Sequence, residues 1–416
     1  MSPNTVKTLG AVTILFSAGA WYANNSRASG GGSAGAGDFA VPALQERIND
    51  VASVVVETKD GKATLERVDA QWTLAEKGGY PAKEAKVREV LMALRGAEIV
   101  EQKTSDPEKF SKLGLDEPNG GDSKGKRITI QDAAGADIAS VLIGDRRPSK
   151  AGFSPGRTRS KGQTYIHTTE GAPALLVDQE FTLDARTGTW LDQQIVNVPA
   201  TRIRAVRIAH PGGEQLELYR KDMAEADFEI LNVPEGMEPK SPSATRTFMS
   251  TLTGLRFDDV KKADAFDWTG EEVVTTEFFT EHGLRVTIKS IEVTDEGGNE
   301  NPTTWCTVAV DAVDPSLLPG APPEQPEPGP PAPETAPEET EGDGVPVADS
   351  TPLEKVEREA ASMHGTVADW AFALPRWKSG SIRMLPSGVL QETPEAEPDG
   401  EEEPDPEDPE GSKDDE

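Results

Sequence analysis

A stretch of this chain occurs twice, and a chain built from two copies of one unit has few folds open to it. Ala85–Phe110 and Ser243–Trp268 align without a gap at an offset of 158 residues. Leu94 falls on Leu252, Gly96 on Gly254, Lys103 on Lys261 and Asp106 on Asp264. Apolar positions correspond as well, with Val90 on Phe248, Leu91 on Met249, Ile99 on Phe257 and Phe110 on Trp268. The same offset continues downstream, where Gly125, Arg127, Thr129 and Ile130 meet Gly283, Arg285, Thr287 and Ile288. Self-similarity at a fixed period signals a repeated supersecondary unit.

Each copy reads as strands followed by one helix and further strands. In the first, Ser53–Thr58 is rich in β-branched residues, Asp60-Gly61 marks a hairpin turn, and Ala63–Val68 and Gln71–Ala75 return with Trp72 inward. Pro81 opens a helix, where a missing N–H is tolerated. Val87, Val90, Leu91 and Leu94 form its apolar stripe and Gly96 ends it. Ala97–Glu101 is a strand, a short helix capped by Asp106-Pro107 ends near Leu113, and Arg127–Gln131 with Ile138–Ile143 makes a hairpin. In the second copy Val206–Ala209, Gln215–Tyr219 and Asp227–Leu231 repeat the opening, and Ser243–Leu252 is the expected helix. Val273–Thr280, Leu284–Val293 and Thr303–Val310 are strands. The fold class is α+β: two tandem repeats of a strand-rich α/β unit, each an antiparallel sheet with one packed helix. Between them, Thr164–His167 and Ala174–Val177 read as strands and a short helix is expected around Trp190–Ile195.

The ends and one insertion have another composition. Residues 8–26 carry no charge, after a short basic N-terminus at 1–7. They read as a transmembrane anchor with Trp21 and Tyr22 in the interfacial belt, or as a signal peptide with Ala18-Gly19-Ala20 at its cleavage site. Either reading exports the rest of the chain, so the expected location is the inner membrane, single-pass, with the bulk facing the periplasm. A flexible linker over 27–44 leads to the first repeat at 45–144, a basic loop and connector at 145–200, and the second repeat at 201–313. Asp314–Pro352 holds twelve prolines and nine acidic residues without Lys or Arg, and reads as a disordered insertion. Residues 353–390 resume folded-looking sequence that is expected to dock on the second repeat, with Pro352–His364 helical, Val367–Phe372 and Ser381–Leu385 as strands, and Trp370 and Trp377 buried. Residues 391–416 form an acidic tail with fourteen Asp and Glu against one Lys. Insertion and tail supply −22 of the net charge of −31, so the remainder is ordinarily acidic. That balance argues against a nucleic-acid partner, which needs a concentrated basic face.

Chemistry-bearing motifs are scarce. A lone cysteine, Cys306, leaves no intramolecular disulfide and reads as a buried hydrophobe. His167, His210, His282 and His364 lack metal-ligand spacing, so no metal or cofactor is expected. No nucleophile elbow occurs. Asp258 and Asp259 could pair as acid and base, but they stand at a strand end where the first copy holds Glu101, which favours a structural role. Asp295–Asn301 has the oxygen-rich look of a calcium loop without its ligand spacing. The most basic segment, Asp145–Gln163, makes Arg146, Arg147, Lys150, Arg157, Arg159 and Lys161 the candidate interaction loop, for anionic lipid or for the acidic tail.

Five segments in order carry a family likeness: Glu46–Thr104, "KLGLDEP" (112–118), "VLIGDRR" (141–147), "TWLDQQIVNVPATRIRAVRI" (189–208) and "DWAFALPRW" (369–377). Through them the chain resembles a bacterial family defined as domain of unknown function 4340. The resemblance implies a membrane-anchored envelope protein, encoded beside ABC-type export components of the gliding-motility and auxiliary-transport kind. It further implies an accessory subunit rather than an enzyme, with the permease and ATPase subunits as partners, and carries no catalytic residue over. The expected function is therefore a non-catalytic, membrane-tethered periplasmic scaffold. A cell-wall or glycan-binding envelope module and, further off, a periplasmic hydrolase are the alternatives.

Overall fold

The structure, a computed structural model, describes residues 35–119, 121–147, 162–294, 301–321 and 351–393. The readings placed on 8–26, on most of the insertion, on 295–300 and on the tail from 394 lie outside the described residues. No helix among the described residues is long and apolar enough to cross a membrane. The protein is α+β, with antiparallel strand-rich sheets and few helices. Its described residues divide into two compact units, one drawn from within 1–194, 256–265 and 370–373, the other from within 195–255, 266–369 and 374–416.

The first unit opens with a short helix α1 (Ala43–Arg47) and the strands β1 (Val51–Thr58), β2 (Gly61–Val68), β3 (Gln71–Leu74) and β4 (Tyr80–Pro81). Helix α2 (Glu84–Arg95) follows, then β5 (Ile99–Gln102), β6 (Lys126–Asp132), β7 (Asp137–Arg147), β8 (Gln163–His167) and β9 (Leu175–Val177). These strands form one sheet in the order β4-β3-β2-β1-β6-β7-β8-β9-β5. Alternation builds its core face: Val54 and Val56 of β1, Ala63 and Leu65 of β2, and Ile128 and Ile130 of β6 are all buried. Asp69 and Ala70, both at positive φ, make the two-residue turn between β2 and β3, since a mirror-image turn matches the strand twist. The α2 stripe of Val87, Val90, Leu91 and Leu94 is buried as its spacing predicts.

The remaining strands are β10 (Gln194–Val196), β11 (Ile203–Ala209), β12 (Gln215–Tyr219), β13 (Glu229–Ile230), β14 (Met237–Pro239), β15 (Leu255–Arg256), β16 (Asp259–Lys262), β17 (Val274–Thr280), β18 (Leu284–Val293) and β19 (Thr303–Ala312). Then come α3 (Pro352–Val367), β20 (Trp370–Ala373), α4 (Arg376–Ile382), α5 (Pro386–Val389) and β21 (Leu390–Glu392). Within the second unit the strands run β13-β12-β11-β17-β18-β19, and β14 pairs with β21. Helix α3 starts with a capping box between Thr351 and Glu354 and packs on β19, burying Val356, Ala360 and Val367. Arg202 and Glu359 form a bidentate ion pair at 2.6 and 2.9 Å, and His364 Nδ1 accepts the Val310 N–H at 3.2 Å. Strands β16 and β20 pair antiparallel with each other in the first unit.

Several expectations need correction. Ser243–Leu252 is a 3-10 turn over Pro242–Ser250, not an α-helix. Its Ser and Thr residues compete for the backbone: Thr245 Oγ1 is engaged with the Phe228 N–H and carbonyl, and Thr251 Oγ1 and Ser250 Oγ donate to Thr247 O. Ser381–Leu385 holds no strand, because α4 ends at Ile382 and α5 begins at Pro386. Trp370 is buried but Trp377 is 75% exposed. The helix expected at Trp190–Ile195 is a 3-10 turn at Thr187–Trp190 followed by β10. The downstream part of the 158-residue offset pairs strands of different position: β6 neighbours β1, whereas β18 lies between β17 and β19.

Candidate functional site

The basic loop is the first place to look, and its two described arginines are not in a loop. Arg146 and Arg147 are the last residues of β7, a strand longer than its apolar run suggested. Arg146 pairs with Glu180, and Arg147 lies 3.6 Å from Glu101. Glu101 is held below the usual carboxylate range, first by a hydrogen bond from Lys103 and then by the charges of Lys103 and Arg147. Lys150, Arg157, Arg159 and Lys161 lie outside the described residues.

Next to this strand end, two of the resembling segments lock together. Leu113-Gly114 crosses Gly144-Asp145 so closely that a Cβ on Gly144 would stand 2.3 Å from Leu113 O, and one on Gly114 2.8 Å from Asp145. A Cβ on Gly125 would stand 1.8 Å from Asp116 O. Leu115, Leu142 and Ala174 form the buried cluster beneath. The "KLGLDEP" and "VLIGDRR" segments are thus a packing joint, which explains glycine at these positions without any chemistry.

His167 closes the same joint. Its ring packs on Phe110 at 4.8 Å, one nitrogen bonds the Ala172 backbone, and buried Nε2 has no partner. Burial holds its pKa below the ordinary 6.5, with Arg127 pushing the same way against Glu117 and Glu170. As pH falls, the unfolded chain takes up this proton first. The stability from the neutral ring is intact above about 6.5 and is lost as pH drops through the lower folded value. Unfolding free energies from pH 7.5 to 5 are therefore expected to fall faster for the native chain than for His167→Gln. Parallel profiles would rule this out.

An aromatic nest occupies another part of the first unit. Tyr80 meets Phe257, Trp370 and Phe372 edge-on at 5.4, 4.9 and 6.2 Å, and Lys262 Nζ lies 3.7 Å from the Trp370 ring centre. Burial, helped by Asp192, pushes the Tyr80 hydroxyl up to about 12, so it stays protonated. Asp259, one of the proposed carboxylate pair, is ion-paired with Lys77. A cleft of about 570 Å³, open to solvent, lies between the β1–β2 turn (Thr58–Lys62) and Pro118, Asn119 and Gly121.

In the second unit the cations are similarly tied in. Lys378, only 6% exposed, donates to the carbonyls of Ser250, Thr251 and Thr253, and burial lowers its pKa. Glu217, Arg207, Glu277, Arg285 and Asp311 form a cross-strand ladder of alternating charge over β12, β11, β17, β18 and β19. His210 bonds Met384 O. Cys306 is fully buried in β19, which raises its thiol pKa. No group of three or more His, Cys, Asp or Glu among the described residues could hold a metal ion. Two residues that sequence reading passed over are Arg204, which donates to the Tyr219 hydroxyl, and fully buried Arg220, which donates to Thr201 O.

Residues 72–268 match the profile of the domain of unknown function family DUF4340. The chain therefore resembles that family over a stretch that begins at Trp72 in β3 and ends at Trp268. No curated protein and no solved structure matches it.

Proposed function

We propose that this DUF4340-like chain is a non-catalytic scaffold of the cell envelope, built from two copies of one α/β unit. The observation that carries the reading is a shared strand plan. The run β3-β2-β1-β6-β7-β8 has its counterpart in β13-β12-β11-β17-β18-β19, and the antiparallel pair β9 and β5 in β20 and β16. Both runs even carry a bulge at the same place, between Val51 and Ser53 in β1 and between Ile203 and Ala205 in β11. Duplication of a sheet with its irregularities multiplies surface for partners. The groups able to do chemistry are meanwhile spent on the fold, as with Lys378 on three carbonyls and Arg147 near Glu101.

The scaffold is tethered by 8–26 to the inner membrane, faces the periplasm and binds the permease of an ABC-type exporter, with the ATPase carried along. The assignment rests on what the family likeness of the sequence implies, while the matched profile itself describes only a domain of unknown function. Crosslinking in membranes, with a tag after Glu416 and mass spectrometry of what is recovered, is expected to yield permease and ATPase subunits. Recovery of the chain alone would overturn it. The glycan-binding alternative has one observation on its side, the exposed indole of Trp377. Cell-wall sedimentation that Trp377→Ala abolishes would favour that alternative.

A further inference from the structure

The second unit carries a basic segment at the point where the acidic tail leaves it. Residues 374–391 contain Arg376, Lys378 and Arg383 and no Asp or Glu, in a chain whose net charge is −31. They include α4, α5 and the start of β21. Strand β21 pairs with β14, and just beyond β14 the Lys240 N–H donates to Val389 O at 2.9 Å and Lys240 Nζ to Ser387 O at 2.8 Å. A fourth cation thus joins the segment. The described residues end at Thr393, whose N–H donates to Gly236 O at 2.9 Å.

Two neighbouring side chains of α4 are turned to solvent. Trp377 is 75% exposed, and the buried Lys378 ammonium lies 4.9 Å from its ring centre. Arg376 is exposed as well, and its guanidinium meets no acceptor among the described residues. By contrast Arg202, Arg246 and Arg285 of the same unit each hold a carboxylate. Arg383 is turned to Ser290 O and Glu292. Glu238 on β14 is engaged by Gln391 Nε2 at 2.9 Å. An indole and an unpaired guanidinium thus stand side by side in a segment without acidic residues.

We propose that the chain's own C-terminal tail, residues 394–416, docks on α4, with proline rings on the Trp377 indole and carboxylates on Arg376. The tail holds thirteen Asp and Glu against Lys413, with five prolines spaced among them. It has no aromatic residue and no Leu, Ile, Val or Met, so charge and proline rings are what it has to bind with. Proline-rich segments dock on exposed aromatic rings, and arginine presents forked donors to carboxylates. The 23 residues of the tail span at most about 80 Å when extended, which is ample reach from Thr393. Tethering close to the surface it binds gives an effective concentration on the order of millimolar. The contact masks an indole and a guanidinium, the kind of side chains that most often anchor a protein partner, until a competitor displaces the tail. It holds whether or not the chain serves an exporter.

The test uses the full chain and fluorescence quenching by acrylamide, which is uncharged and so is not itself repelled by the tail. The Trp377 contribution is the difference between each protein and the same protein carrying Trp377→Phe. In the native chain that contribution is expected to be quenched roughly two- to threefold less at about 0.01 M salt, where the Debye length is about 30 Å, than at about 1 M, where it is about 3 Å. A full-length chain with every Asp and Glu of 394–416 replaced by Asn or Gln is expected to show the high-salt level throughout. Arg376→Gln, which alters an exposed side chain, should fall between the two. The proposal is overturned if the native and neutral-tail chains are quenched alike in low salt, if the protection survives neutralising the tail, or if Arg376→Gln keeps all of it. Protection that disappears on dilution overturns the contact within one chain and assigns the tail to α4 of a second copy.

Discussion

Gly125→Ala is expected to destabilise the first unit by about 3 kcal/mol, the upper part of the range for forcing extra atoms into a packed site. The new Cβ would lie 1.8 Å from Asp116 O, 2.8 Å from Asp116 C and 3.1 Å from Asp116 N, so it meets backbone rather than a side chain that can swing away. Asp116 cannot easily retreat, because Ser123 Oγ donates to its carbonyl and accepts the Gly125 N–H. Gly144→Ala, directed at Leu113 O at 2.3 Å, should behave alike. The control is Gly171→Ala. Gly171 has φ +78° and nothing within 4 Å of a Cβ, so only the left-handed backbone penalty of about 1 kcal/mol applies. Urea midpoints for the three variants decide the matter. If Gly125→Ala costs no more than Gly171→Ala, close backbone approach is not what these glycines provide.

Lys378→Met is expected to cost the second unit about 3 kcal/mol, although methionine fills much the same volume. The loss comes from the carbonyls of Ser250, Thr251 and Thr253, which receive the ammonium at 2.6, 2.9 and 3.4 Å. They stand at and just beyond the end of the Pro242–Ser250 turn, where carbonyls run short of backbone donors, although Ser250 O also accepts the Thr253 N–H at 3.2 Å, and a cation there meets the negative end of the segment's dipole. Lys378→Arg, which keeps the charge but is longer and planar, should recover only part of the stability. Denaturant titration of the three proteins checks the order. Equal stability of Lys378→Met and the native chain would show that water replaces the ammonium freely.

The two joints differ in how far they could be read beforehand. The glycines of "KLGLDEP" and "VLIGDRR" stood out as family-like segments, yet nothing in either segment says that they touch each other. Gly144 lies nineteen residues beyond Gly125, and their partners, Leu113 and Asp116, precede both. Lys378 carried no signal at all, since a lysine beside Trp377 and Arg376 reads as a solvated surface residue. Trp377 misled in the opposite direction, because an indole is usually buried and this one is exposed.

What this sequence determined by itself is the local plan: an α+β chain of alternating strands, helix α2 with its buried stripe, and strand limits that β12 and β18 match residue for residue. Periodicity of 2 or 3.6 residues is written along the chain, so it is legible without a partner. Only the tertiary structure decided that Pro242–Ser250 is a 3-10 turn, that β20 pairs with β16 after an insertion of dozens of residues, and that Lys378 closes on the carbonyls of Ser250, Thr251 and Thr253. Each of those outcomes turns on which distant backbone groups compete for the same hydrogen bonds, and that competition exists only once the chain has closed on itself.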